Sequence, residues 1–115
     1  MSRDHEERLA DMHDACTRIL DYVARGGDAW SRDPLYTDAI VRNLEILGEA
    51  AKHVPEEVRQ LLPTIPWARV CGLRDVLIHR YFGIDALVLQ DVVDRYIPPL
   101  AITLMAAMTD RGDGA

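Results

Sequence analysis

Apolar residues recur with the period of an α-helix along most of this chain, and strand-like alternation never persists for more than four residues. Between residues 2 and 25, Leu9, Met12, Cys16, Ile19, Leu20 and Val23 follow one another at spacings of three, four and one, a stripe on an otherwise charged helix. Gly26 and Gly27 stop it, and GGDAWSRDP reads as a loop. Ile40, Leu44, Leu47 and Ala51 mark a second helix from about Leu35 to His53, closed by Pro55. Residues 55–62 allow a short helix, with Glu56 and Glu57 at the positive end of its dipole and Pro63 as its terminator. Pro66 suits a first helical position, and Trp67, Val70, Leu73, Leu77 and Ile78 continue the pattern until Gly83. Asp85 can cap a last helix carrying Leu87, Leu89, Val92, Val93, Tyr96, Leu100, Leu104 and Met108, which Pro98 and Pro99 should kink or split. Four long helices joined by short loops predict an all-α fold, an antiparallel four-helix bundle with one short extra helix.

At 115 residues the chain is expected to form a single domain over 1–115, with the tail DRGDGA, 110–115, frayed. Thirteen basic against nineteen acidic residues leave a formal charge of −6, the wrong sign for a protein that coats nucleic acid non-specifically, so any RNA contact has to be local. Cys16 and Cys71 form neither a disulfide framework nor a zinc-ribbon spacing, which fits a reducing cytoplasm. The charged start MSRDHEERLADMHD lacks the apolar stretch of a signal peptide. The longest uncharged run, Tyr96 to Thr109, is interrupted by two prolines and is shorter than a membrane span. No membrane association is expected.

The segment RDVLIHRYFGID, Arg74 to Asp85, places a guanidinium, a carboxylate, an imidazole and a phenol on one otherwise apolar helix. On an ideal helix His79 stands about 40° from Asp75 and one turn further along, so the carboxylate can orient the ring. Arg74 and Tyr81 project within about 20° of each other but roughly 140° from His79. Either the Arg74 side chain bends round toward the imidazole, or the cleft is shared between two copies of this helix. The shared cleft suits cleavage of RNA by its own 2′-hydroxyl, which needs one group to take a proton and another to protonate the leaving oxygen. A twofold dimer would supply two His79 imidazoles, with paired Arg74 forks to stabilise charge on the phosphorane oxygens. An imidazole with a pKa of about 6.5 can fill either role near neutral pH, and no metal is required. Taken alone, the same residues also describe a solvated helix face with a local salt bridge.

The stretch Arg74-x4-His79-x-Tyr81 resembles the signature of the HEPN superfamily, and specifically its HepT-like toxins. The similarity extends to AIVRNLEILGEAAKHVPEEVR (Ala39 to Arg59) and PTIPWARVCGLRDVLIHRYFGID (Pro63 to Asp85), about half the chain, with a looser match over the helical remainder. The resemblance implies an HEPN-like fold and a homodimeric, metal-independent endoribonuclease toxin of a type VII-like toxin–antitoxin pair, with no cofactor and with Arg74 and His79 in its catalytic cleft. It also implies a nucleotidyltransferase antitoxin of the MntA type that silences the toxin by transferring AMP to Tyr81. The bland alternative for Tyr81 is a helix-end aromatic that only packs. Asp75 stands where relatives often carry Asn; a carboxylate there raises the basicity of His79 but repels a phosphate.

Glu45, Glu49 and His53 form an i, i+4, i+8 stripe. Di-iron bundles use Glu-x-x-His, whereas Lys52 occupies that offset from Glu49 and no second motif exists, so the stripe reads as bundle hydrogen bonding, with Arg42 and Glu49 as partners, or as contact with the dimer cleft. His5 and His13 read as solvent-facing, and Trp30 and Trp67 as packing residues able to stack a base. The competing function is a non-catalytic module that docks a nucleotidyltransferase or a nucleotide, and a ligand-free dimerisation bundle is the third.

Overall fold

The computed structural model describes the backbone of residues 3–80 and 86–113, with side chains for 4–73 and 86–109. Five α-helices and one 3-10 helix make up the described chain: α1 (Arg3–Gly26), the 3-10 helix (Gly27–Arg32), α2 (Pro34–Lys52), α3 (Glu56–Arg59), α4 (Trp67–Arg80) and α5 (Ala86–Asp113). No strand occurs among the described residues. At 1.5 Å per residue the 28 residues of α5 span about 42 Å, close to the 44 Å long dimension of the molecule, so this helix sets its length.

The stripes read from the sequence become the core. Leu9, Met12, Cys16 and Ile19 of α1 are fully buried, as are Ile40, Leu44, Leu47 and Ala51 of α2, joined by Val70 of α4 and by Leu89, Val93, Ile97, Leu100 and Leu104 of α5. α1 packs on α2 and α5, and α2 packs on α4. Each helix thus contributes one apolar strip to a common interior, as helices in a bundle must. Leu87 departs from its expected place on the stripe: it is 67% exposed, with Val88 beside it also exposed.

The segment expected as a loop, GGDAWSRDP, is largely a 3-10 helix that buries Trp30 against α1, α2 and α5. Both glycines have identifiable work. Gly27 takes φ +68°, which a side chain resists, and a Cβ on Gly26 would come within 2.6 Å of the Trp30 Cβ. Asp33 then caps α2, its carboxylate accepting from the Leu35 amide at 3.0 Å with Pro34 in the first turn.

Three boundaries differ from expectation for local reasons. α3 keeps only four residues, because the following amides of Leu61 and Leu62 bond three rather than four residues back, to Val58 and Arg59. Pro66 sits just before α4 rather than at its first position, its carbonyl accepting from the Val70 amide at 3.0 Å. Of the two outcomes expected at Pro98 and Pro99, a kink or a split, the split does not occur: α5 is continuous through both. The carbonyls of Asp94 and Arg95 lose their helical donors to the prolines; both residues are exposed, while Ile97 and Leu100 are buried on either side of the interruption. α5 also extends to Asp113, into the segment expected to fray.

Candidate active site

Positions 74, 75 and 79 lie on α4, which is helical through Arg80. The register places 75 and 79 one turn apart on one side and 74 about 140° away from 79, as the sequence required. The side chains of Arg74, Asp75 and His79 lie outside the described residues, as do Tyr81, Gly83 and Asp85 entirely.

What the structure does show is how the first half of α4 is held. Arg59, on the short α3, donates from Nε to the Val54 carbonyl at 2.9 Å and from Nη2 to the Ala51 carbonyl at 3.0 Å, with the Cys71 Sγ at 3.5 Å from Nη2. Its guanidinium lies 5.4 Å from the centroid of the Trp67 ring. One planar cation therefore collects carbonyls from the C-terminal end of α2 and the turn beyond it, where unpaired oxygens and negative dipole accumulate, and stacks on the first residue of α4. The Trp67 indole N–H closes the arrangement by donating to the Leu62 carbonyl at 3.1 Å. Trp67 thus packs as expected, but on a cation. Nothing local in PEEVRQ announces the role of Arg59, because its partners come from three separate segments.

A second arginine, Arg69, projects from α4 onto α5. It donates to the Tyr96 phenol oxygen, and its guanidinium lies 5.7 Å from the centre of that ring. The sequence pattern assigned Tyr96 to the apolar stripe alone; the residue is in fact half-buried, with its hydroxyl engaged by Arg69.

The remaining polar candidates are engaged in local pairs. Within the Glu45, Glu49, His53 stripe, Arg42 lies 3.5 Å from Glu45 and His53 Nε2 lies 3.4 Å from Glu49, so Arg42 has Glu45 as a partner and Glu49 has His53. Among the described residues no group of three or more His, Cys, Asp or Glu is placed to share a metal ion. His5 and His13 are half-buried rather than solvent-facing. Asn43 in the RNLEILGEA stretch is buried, donates to the Ala39 carbonyl at 2.9 Å, and leaves its Oδ1 without a partner among the described residues. Both cysteines are free. Burial pushes the Cys16 thiol up to about 12, which removes it as a nucleophile at neutral pH. No described helix is long and apolar enough to cross a membrane.

A family model described as "Ribonuclease HepT-like" matches residues 12–107, which include all of α2, α3 and α4. A "Probable ribonuclease HepT" of Thermococcus cleftensis is 38% identical over 101 residues, covering 87% of this chain and 92% of that protein. A "Putative RNase" of Caldanaerobacter subterraneus subsp. tengcongensis is 44% identical over 69 residues, 60% of this chain. The match spans 62% of that relative's length, just under two thirds. No solved structure matches. A helical bundle with positions 74 and 79 on α4, matched by that family model over most of its length, leads to one conclusion: the chain belongs to the ribonuclease HepT-like family of the HEPN superfamily.

Proposed function

We propose that this protein is a metal-independent endoribonuclease, the toxin of a type VII-like toxin–antitoxin pair, with a composite active site where two copies of α4 meet. The observation that carries the reading is the Arg74-x4-His79-x-Tyr81 sequence set, with positions 74 and 79 on α4, in a HepT-like chain. In the proposed dimer one His79 imidazole takes the 2′-hydroxyl proton and the 2′-oxygen attacks phosphorus. The other His79, as imidazolium, protonates the departing 5′-oxygen, leaving a 2′,3′-cyclic phosphate and a 5′-hydroxyl. Arg74 from each copy stabilises the charge that grows on the phosphorane oxygens, and Asp75, one turn before His79, orients the imidazole. Acid and base then come from one residue type in two copies.

The test is digestion of cellular RNA in EDTA. Wild type is expected to yield fragments ending in cyclic phosphate, and His79→Ala to yield none; undiminished cutting by that variant would remove His79 from the mechanism. Neutralisation by an MntA-type nucleotidyltransferase through AMP transfer to Tyr81 is the regulatory half of the proposal. Mass spectrometry after co-expression is expected to map the added AMP to Tyr81, and AMP found only elsewhere would refute it. The competing reading, a non-catalytic module that docks the transferase or a nucleotide, draws on the net charge of −6. Wild-type protein that degrades no RNA and arrests no growth would decide for it.

A further inference from the structure

Next to the motif, α4 and α5 enclose an apolar cleft of about 370 Å³, walled by Val70, Leu73, Val92 and Ile97 and closed below by Leu47 of α2. Gly72 forms part of its wall, and a Cβ there would meet nothing within 4 Å, so the space beside it is open. At the rim stand Arg69 and Tyr96, cation over ring. Arg8, Arg25, Arg42 and Arg95 each have a carboxylate within 4.0 Å, whereas exposed Arg69, like Arg18 and Arg32, has none among the described residues. In a chain of net charge −6 this is a positive charge with no carboxylate partner among the described residues, beside an apolar slot.

The helix register ties the slot to the motif. Offsets of four, three and four residues put positions 68, 72, 75 and 79 within about 60° of one another around α4, so the side that borders the cleft at 68 and 72 continues to 75 and 79. Along the axis, 69 and 74 are about 7.5 Å apart, and 72 and 79 about 10 Å.

We propose that this cleft is a subsite for one unpaired base of the RNA, close to the cleaved bond, with Arg69 on the adjoining phosphate; the inference rests on the ribonuclease reading above. A base has two apolar faces that gain by leaving water and stacks on an aromatic side chain whatever its identity, which an aliphatic slot edged by Tyr96 provides. A base inside a duplex cannot reach such a slot, so the substrate is single-stranded or looped RNA. The site also answers the charge problem, since affinity in an acidic protein has to come from a local cation and a local apolar contact.

The test uses the full chain and a single-stranded 2′-O-methyl RNA hexamer, which lacks the attacking hydroxyl, with binding read by fluorescence anisotropy in EDTA. Gly72→Leu fills the slot and Arg69→Gln removes the rim charge; thermal melting checks that both variants fold, and sedimentation gives their mass. The dissociation constant is expected to rise about tenfold in either variant, and KM for cleavable RNA to rise in parallel with kcat unchanged. Binding within about twofold of wild type in both variants, or no hexamer binding by wild type, overturns the subsite. A change in molar mass in Gly72→Leu also overturns it, because the cleft would then be a contact between copies. Wild type that cuts nothing yet binds the hexamer through Gly72 and Arg69 leaves the subsite standing while the nuclease reading falls. Cutting with equal KM in all three proteins sinks the subsite alone.

Discussion

Replacing Arg59 tests the claim that one side chain positions the motif helix. Its two bonds to the Val54 and Ala51 carbonyls are charge-assisted and only part-buried, so each is discounted from the ~1.5–3 kcal/mol of such bonds to about 1 kcal/mol. The stack on Trp67 adds about 0.5 kcal/mol, and the contact with Cys71 Sγ at 3.5 Å adds little. Ala51 keeps a second donor in the Val54 amide at 3.1 Å, which limits the damage at that carbonyl. Arg59→Ala should therefore cost about 2–3 kcal/mol, or a fall in Tm of roughly 10 °C for a domain of this size. Arg59→Lys keeps the charge but cannot fork between two carbonyls while lying flat on the indole, so it should recover less than half of the loss. Urea denaturation followed by circular dichroism measures both, and a double-mutant cycle with Trp67→Leu isolates the stacking contribution at about 0.5 kcal/mol. A loss below about 0.5 kcal/mol for Arg59→Ala, or full recovery by Lys, would refute the assignment of Arg59 as the clamp.

Two further outcomes follow from particular atoms. Cys16, with its thiol pushed up to about 12 by burial, should resist alkylation at pH 8 in the native protein and react only on unfolding, whereas half-buried Cys71 should be alkylated first; peptide mapping distinguishes them. The same shift has a sign in stability: the unfolded thiol ionises from about 9 while the native one does not, so Cys16 leaves stability unchanged below pH 9. Above that it lowers stability by up to about 1.4 kcal/mol per pH unit, a slope that Cys16→Ala should abolish in melts from pH 8 to 10.5. At the turn, Gly27→Ala should cost about 1–2 kcal/mol for a side chain at φ +68°, and Gly26→Ala about 1–3 kcal/mol because its Cβ would press on Trp30 and the Tyr36 ring. Either variant melting at the wild-type temperature would show that the 3-10 helix adjusts freely.

The face each long helix buries was legible because it is a local property: a period of 3.6 residues is written in neighbouring positions, and Leu9, Met12, Cys16 and Ile19, like Ile40, Leu44, Leu47 and Ala51, went where that period sent them. The family was legible for a related reason, since Arg74, His79 and Tyr81 form a short pattern that needs no partner to be seen. The residues 27–32 were not, because a polar, aperiodic stretch gives no local sign that Trp30 will find a hole among α1, α2 and α5. Local rules left open whether Pro98 and Pro99 would kink or split α5; it runs on as one helix, with Ile97 and Leu100 buried on either side.

By itself, then, the amino-acid order determined how many long helices form, which side of each avoids water, and which chemical groups ride on α4. Tertiary structure alone decided what Arg59 and Arg69 do. One gathers carbonyls of residues 51 and 54 with the ring of residue 67; the other meets a phenol 27 positions away and stands with it over an open slot. A guanidinium has five donors and no preference among acceptors until packing brings particular ones within 3 Å. Its role is therefore set by the arrangement of helices and not by its neighbours in the chain.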